Sequence, residues 1–278
     1  MSLVDTAMTT GAPDYYKTIL LGGLHNSTPI LAYIDDDGYF VFRLADDLDA
    51  WGNTVKMGLA ELAAVLSPAK RFDRRGQLLF YDDFECELAR WVATSNGAGG
   101  SCAISEDRAR SGWQSVKAVA GSDGARYAGL TGWLPLVSFT KTGLEVSVTL
   151  SLDTDYFLMS MMLLGKDYDC SMAIKYFPGT DTVQYFSQTG AYIALSSSVA
   201  LKENDRIFNT FKLVCNRETF YYDHLLINHY SFDMTDKPLW KCASTDPYYA
   251  QIDLYNYAKA GKNPVMYIDD VIVTHNEP

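Results

Sequence analysis

From Gln77 onward the chain is cut into short runs of β-branched and aromatic residues separated by turn residues, and no stretch sustains a helical period. Candidate strands are Leu78–Phe84, Ser101–Ile104, Ser115–Val119, Ala125–Trp133, Leu144–Leu152, Phe157–Leu164 and Ser171–Phe177. They continue with Thr182–Phe186, Tyr192–Leu195, Ile207–Asn216, Thr219–Ile227, His229–Asp233, Tyr248–Tyr255 and Val265–Thr274. Asn96-Gly97, Ser122-Asp123-Gly124, Pro178-Gly179 and Gly261-Lys262-Asn263-Pro264 punctuate them. Glu145 to Leu150 alternates cleanly between polar and apolar residues, the mark of a strand with one wet and one buried face. There is no β-α-β alternation. The expected fold class is all-β: a two-sheet antiparallel jelly-roll sandwich over residues 77–278.

Residues 1–76 predict a small β-rich N-terminal arm. Its apolar runs are Thr18–Leu21, Ile30–Ile34 and Tyr39–Leu44, the last two joined by Asp35-Asp36-Asp37-Gly38, a hairpin-turn signal. The run from Lys56 to Leu66, rich in Ala, Leu and Glu and stopped by Ser67-Pro68, predicts one short helix. An arm of this size needs another surface to pack on.

Composition narrows the function classes. The net charge of −11 disfavours a phosphate backbone or an anionic membrane as partner. No run approaches the ~18 apolar residues of a membrane span, and the first ten residues lack the pattern of a secretory signal. The five Cys are widely spaced, without a C-x-x-C or a Cys/His zinc pattern, and read as buried thiols. No G-x-S-x-G, H-E-x-x-H or phosphate-binding glycine loop occurs. Glu85 and Glu87 share strand parity and are the candidate pair for glycan hydrolysis, but Cys86 lies between them at the opening of the domain. The expectation is a protein that is not an enzyme and requires no cofactor.

Two other groups invite a ligand. Asp82-Asp83-Phe84-Glu85 opens the sandwich and Asp269-Asp270 closes it. If the first and last strands are neighbours, these carboxylates converge and suit a structural Ca²⁺. Trp113, Trp240 and Tyr248 are candidate glycan-stacking residues, against the reading of tryptophan as sandwich filler. The basic cluster Lys70, Arg71, Arg74 and Arg75 is a candidate partner contact in an otherwise acidic chain.

FYDDFECELARW, SEDRARSGWQSVK and the closing MYIDDVIV resemble the concanavalin A-like jelly rolls, which include carbohydrate-binding modules and virion proteins. The positions that carry the likeness are Asp83, Glu85, Trp91, Ser111, Gly112, Ser115, Asp270 and Val271. The resemblance implies a structural Ca²⁺ on Glu85 and Asp270, with Asp83 and Asp269 beside them. The stretches ILAYIDDDGYFVFRL and DAWGNTVKMGLAELAAVLSPAKRFDRRGQLLFYDDFE are similar to structural proteins of tailed bacteriophages. That likeness implies a virion protein, assembled in the host cytoplasm: a capsid decoration (cement) protein bound to the major capsid protein, or a tail or fibre component. A dimer or trimer is expected, with a host-surface glycan as a further partner. A carbohydrate-binding module is the alternative, and it predicts a solvent-facing row of aromatics on one sheet.

Overall fold

The computed structural model describes residues 76–135 and 140–278 in full, together with the backbone of four strands before them. Those four, β1 (Ile19–His25), β2 (Thr28–Ile34), β3 (Phe40–Leu44) and β4 (Val55–Met57), form an antiparallel meander in the order β1-β2-β3-β4. β4 corrects the sequence reading. Lys56 and Met57 are extended, because they close the ladder onto Val41 and Phe40, and pairing overrides their helical propensity. The rest of the expected helix, residues 58–66, lies outside the described residues, as do Lys70, Arg71, Arg74 and Arg75. The chain divides into two compact units, Met1–Arg71 and Phe72–Pro278.

The second unit is a jelly-roll sandwich of two eight-stranded antiparallel sheets. Its strands are β5 (Gln77–Asp82), β6 (Trp91–Ser95), β7 (Ser101–Ser105), β8 (Ser115–Val119), β9 (Tyr127–Pro135), β10 (Lys141–Val148), β11 (Thr154–Leu164) and β12 (Tyr168–Phe177). They continue with β13 (Thr182–Phe186), β14 (Tyr192–Ser196), β15 (Asn209–Asn216), β16 (Tyr221–Ile227), β17 (Tyr230–Asp233), β18 (Trp240–Ala243), β19 (Tyr249–Ala258) and β20 (Val265–His275). The first sheet runs β17-β16-β15-β10-β20-β8-β7, with β5 also on β20. The second runs β14-β13-β12-β11-β19-β9-β6, with β18 on β12.

Period-two patterning builds the core. Phe157, Met159, Met161 and Leu163 of β11 point inward, as do Ile252 and Leu254 of β19. They meet Leu144, Val146 and Val148 of β10 and Phe211, Leu213 and Cys215 of β15. Phe211 joins the layers directly, with its ring 5.2 Å from that of Phe157 and 6.0 Å from that of Tyr176. Each buried side chain of this size contributes roughly 1.5–3 kcal/mol of transfer free energy. Of the five Cys expected to be buried thiols, Cys170 and Cys215 are buried, Cys102 and Cys242 are half-buried and Cys86 is exposed; burial pushes the Cys170 thiol up to about 11.

The first and last strands of the sandwich do meet: Phe80 pairs with Val273 and Asp82 with Val271. β5 stops at Asp82, short of the expected Phe84. Phe84 takes a left-handed backbone (φ 58°) and turns its ring into the core beside Trp91. Along β20 the register against β10 shifts between Ser147–Asp269 and Glu145–Ile272, and Asp270 sits at φ 48°. This bulge breaks the strict alternation of the pleat. Asp269 and Asp270 therefore both turn away from the core and hydrogen-bond the same loop.

Candidate functional site

The acids singled out in the sequence do come together, around the loop from Glu106 to Gln114. Asp269, at 0% exposure, accepts hydrogen bonds from the Arg110 and Ser111 amides (2.6 and 3.2 Å) and from the Asp270 amide (2.8 Å). Asp270 accepts from the Ser111 hydroxyl (2.7 Å) and the Tyr81 hydroxyl (3.1 Å), and pairs with the Arg110 guanidinium at 3.3 Å. Glu85 accepts from the Trp113 and Gln114 amides (2.6 and 2.8 Å). Gly112 makes that approach possible. It sits at φ +62°, where any Cβ would collide with the Glu85 carboxylate. Asp83 accepts only from the Glu85 amide, at 3.4 Å.

This donor set does not fit the Ca²⁺ site that the resemblance implies. A calcium ion takes six to eight oxygens. Here both oxygens of Asp269 and of Asp270 and one of Glu85 are already engaged by N–H and O–H donors, and Arg110 supplies positive charge beside Asp270. Among the described residues no three His, Cys, Asp or Glu side chains gather as a metal site requires. The cluster is a latch that fixes the loop. Burial pushes the Asp269 carboxyl up to about 6. Asp269→Ala is expected to leave three amides without their acceptor and to cost about 2 kcal/mol, read as a lower midpoint in urea unfolding.

Of the pair weighed for hydrolysis, only Glu85 is engaged by other groups. Glu85 holds the loop, while Glu87 is exposed at φ 73°. The three candidate stacking residues lie in three places. Trp113 stands 82% exposed at the tip of the latched loop. Tyr248 lines a shallow cleft of about 240 Å³ with Asp167, Tyr168, Arg217, Glu218 and Phe220. Trp240 lies on β18, paired with Ser171, at the outward face of the second sheet.

That outward face carries what the sequence reading missed. The odd positions of β19, Tyr249, Gln251, Asp253, Tyr255 and Tyr257, all turn away from the core. Around them a chain of rings crosses the sheet. Trp240 lies 6.3 Å from Phe186, and Phe186 lies 5.2 Å from Tyr192. The Lys175 ammonium then bridges Tyr192 and Tyr156, 4.1 and 4.2 Å from their centroids. Tyr156 stacks on Tyr257 at 4.4 Å, Tyr257 meets Tyr127 at 5.7 Å, and Tyr127 meets Tyr255 edge-on at 5.5 Å. The register explains the row, since Tyr257 is the cross-strand partner of both Tyr156 and Tyr127.

A polar line runs beside the rings. Asp253 accepts from Thr131 (2.7 Å), Gln251 (3.1 Å) and Ser160 (3.4 Å), while the Tyr255 hydroxyl sits 2.6 Å from Thr131. Gly129 pairs with Tyr255 and leaves β9 bare where a Cβ would strike the Tyr255 ring. Burial raises Tyr156, Tyr257 and Tyr192, the last to about 12. Like any tyrosine hydroxyl at neutral pH, theirs are protonated and can donate to a ligand. Because the Tyr192 folded value lies above the ordinary 10.0, its contribution to stability is complete below that value. It is lost as pH rises through about 12. Tyrosinate absorbance and circular dichroism followed together in an alkaline titration should show these rings ionising late, with loss of the fold.

The sandwich is similar to several solved structures. No family model and no curated protein sequence matches the chain. An alginate lyase from a Chlorella virus aligns at a TM-score of 0.50 and 12% identity, over 72% of this chain and 100% of that one. A carbohydrate esterase from a Shiga toxin-encoding bacteriophage aligns at 0.47 and 12%, over 72% and 99%. A cellulose-induced protein aligns at 0.43 and 16%, over 70% and 96%. At 12% identity the likeness to the alginate lyase speaks to the jelly-roll fold and to nothing finer.

Proposed function

We propose that the protein binds a polysaccharide along the outward face of its second sheet. The observation that carries this reading is the continuous row of rings from Trp240 to Tyr255, flanked by a line of hydroxyl, amide and carboxylate groups. Sugar rings present an apolar face of C–H groups and a rim of hydroxyls, and a partly exposed aromatic row with polar neighbours matches both. Such a row is also what separates a carbohydrate-binding module from the capsid decoration expected from the order of the N-terminal segments. The basic residues invoked for that role lie outside the described residues, and no described observation favours it.

A glycan array probed with the full chain tests the reading. Binding to at least one polysaccharide is expected. Tyr156→Ala should weaken it strongly, while Trp113→Ala, altered at the loop tip and away from the row, should leave it within about twofold, since residues off the contact centre contribute little. A Trp113→Ala protein that loses all binding while Tyr156→Ala retains it would place the ligand on the loop instead.

A further inference from the structure

Lys175 is the one cation among the residues that make up the aromatic row. Its ammonium is clasped between the faces of Tyr156 and Tyr192. Two ring quadrupoles hold a cation in a fixed place, and they accept none of its three N–H groups in an ordinary hydrogen bond. Among the described residues no carboxylate lies within ion-pairing distance of it, in contrast with Lys117 on Asp107 and Lys212 on Glu277. Asp155 is the acid whose charge reaches it, and only at longer range. Nor is the nitrogen sealed away, since it is absent from the buried polar atoms that lack a partner. Partial burial lowers the Lys175 pKa, the response of a cation short of compensating negative charge.

We infer that Lys175 receives an anionic substituent of the bound sugar, so that the polysaccharide taken by this face is an acidic one, carrying carboxylates or sulfate esters. The inference rests on the glycan-binding reading above. Of the net charge of −11, exposed charges more than about 8 Å away are largely screened at physiological salt; the acids on this face that an anionic sugar must clear are Asp155 and Asp253. The clasp also sets the ammonium in place before binding, so less side-chain freedom is lost when the anion arrives.

The test measures the affinity of the full chain for a polyuronate and for a sulfated galactan, each beside its own neutral form, carboxyl-reduced or desulfated. Wild-type protein, Lys175→Gln, Lys175→Arg and Lys117→Gln are compared. The expected result is that one or both acidic polymers bind better than their neutral forms, and which of them does identifies the anion. Lys175→Gln should cut the ratio of acidic-polymer to neutral-polymer affinity about tenfold or more, as loss of a charged hydrogen bond predicts. Lys175→Arg should keep part of the preference, and Lys117→Gln, the same charge change on β8 of the other sheet, all of it. Equal binding of acidic and neutral forms, unchanged in Lys175→Gln, would overturn the inference while the glycan-binding reading stands. Failure to bind any of the four polymers, or any glycan on the array, would remove both.

Discussion

Glu277→Ala is expected to lower the unfolding free energy by about 3–5 kcal/mol, the largest single-residue effect outside the apolar core. Glu277 sits two residues after the end of β20, yet its side chain is 0% exposed and lies 2.8 Å from the Lys212 ammonium, itself 1% exposed. The Glu277 carboxylate also takes the Thr274 hydroxyl, so the end of the strand and its tail are tied by one group. Removing the carboxylate takes from a desolvated ammonium a partner that offsets its burial, which is far more costly than losing a surface pair. Chemical denaturation of wild type and variant measures the difference. Adding Lys212→Met to Glu277→Ala should recover part of the loss, because the buried ammonium that Glu277 helps to compensate goes with the lysine. A double variant no more stable than Glu277→Ala would show that the pair is not the source of the effect.

Tyr257→Ala should weaken glycan binding by about 30-fold or more, in the range of a central interface anchor. Tyr257 occupies the middle of the row, stacked on Tyr156 and touching Tyr127. Its loss removes one platform and frees two others to change rotamer. Tyr257→Phe separates the two contributions of the ring. It keeps the apolar face and should lose only the fraction carried by the hydroxyl, about 0.5–1.5 kcal/mol. Isothermal titration with a bound oligosaccharide reads both variants. Because Tyr257 faces outward, neither change should move the unfolding midpoint as far as Glu277→Ala does.

The two-sheet fold was legible because inward and outward residues alternate over most strands and Gly, Asn, Asp and Pro mark the turns. Two strands escaped. β6 follows the charged stretch Glu85–Arg90, and β18 spans four residues of which Lys241 and Ala243 are exposed, so neither carries enough alternation to stand out. At Lys56 and Met57 the local propensity is helical, and only the ladder to Val41 and Phe40 makes them extended. The meeting of Asp269 and Asp270 with the opening acids could be argued from a first strand lying beside the last. Their use as acceptors could not, since the backbone amides of Arg110 and Ser111 carry no signature in sequence.

The aromatic row was half visible. Tyr249, Gln251, Asp253, Tyr255 and Tyr257 alternate with Ala250, Ile252, Leu254 and Asn256, a pattern that already assigns the tyrosines to one face. What placed them in a row with Tyr156, Tyr127 and Tyr192 was the register of β19 on β11 and β9 and the neighbouring β12-β13-β14 ladder, a non-local fact. Attention to tryptophan picked out Trp240, which is at one end of the row, together with Trp113, which is not in it.

The most direct measurement is tyrosine-selective NMR on ¹³C-labelled protein titrated with the polysaccharide fragment that binds best on the array. The ring signals of Tyr127, Tyr156, Tyr192, Tyr255 and Tyr257 should shift together and saturate with one affinity, while that of the core residue Tyr176 stays in place. Shifts confined to Tyr168 and Tyr248 at the cleft, with the row unmoved, would contradict the assignment of the outward sheet face as the binding surface.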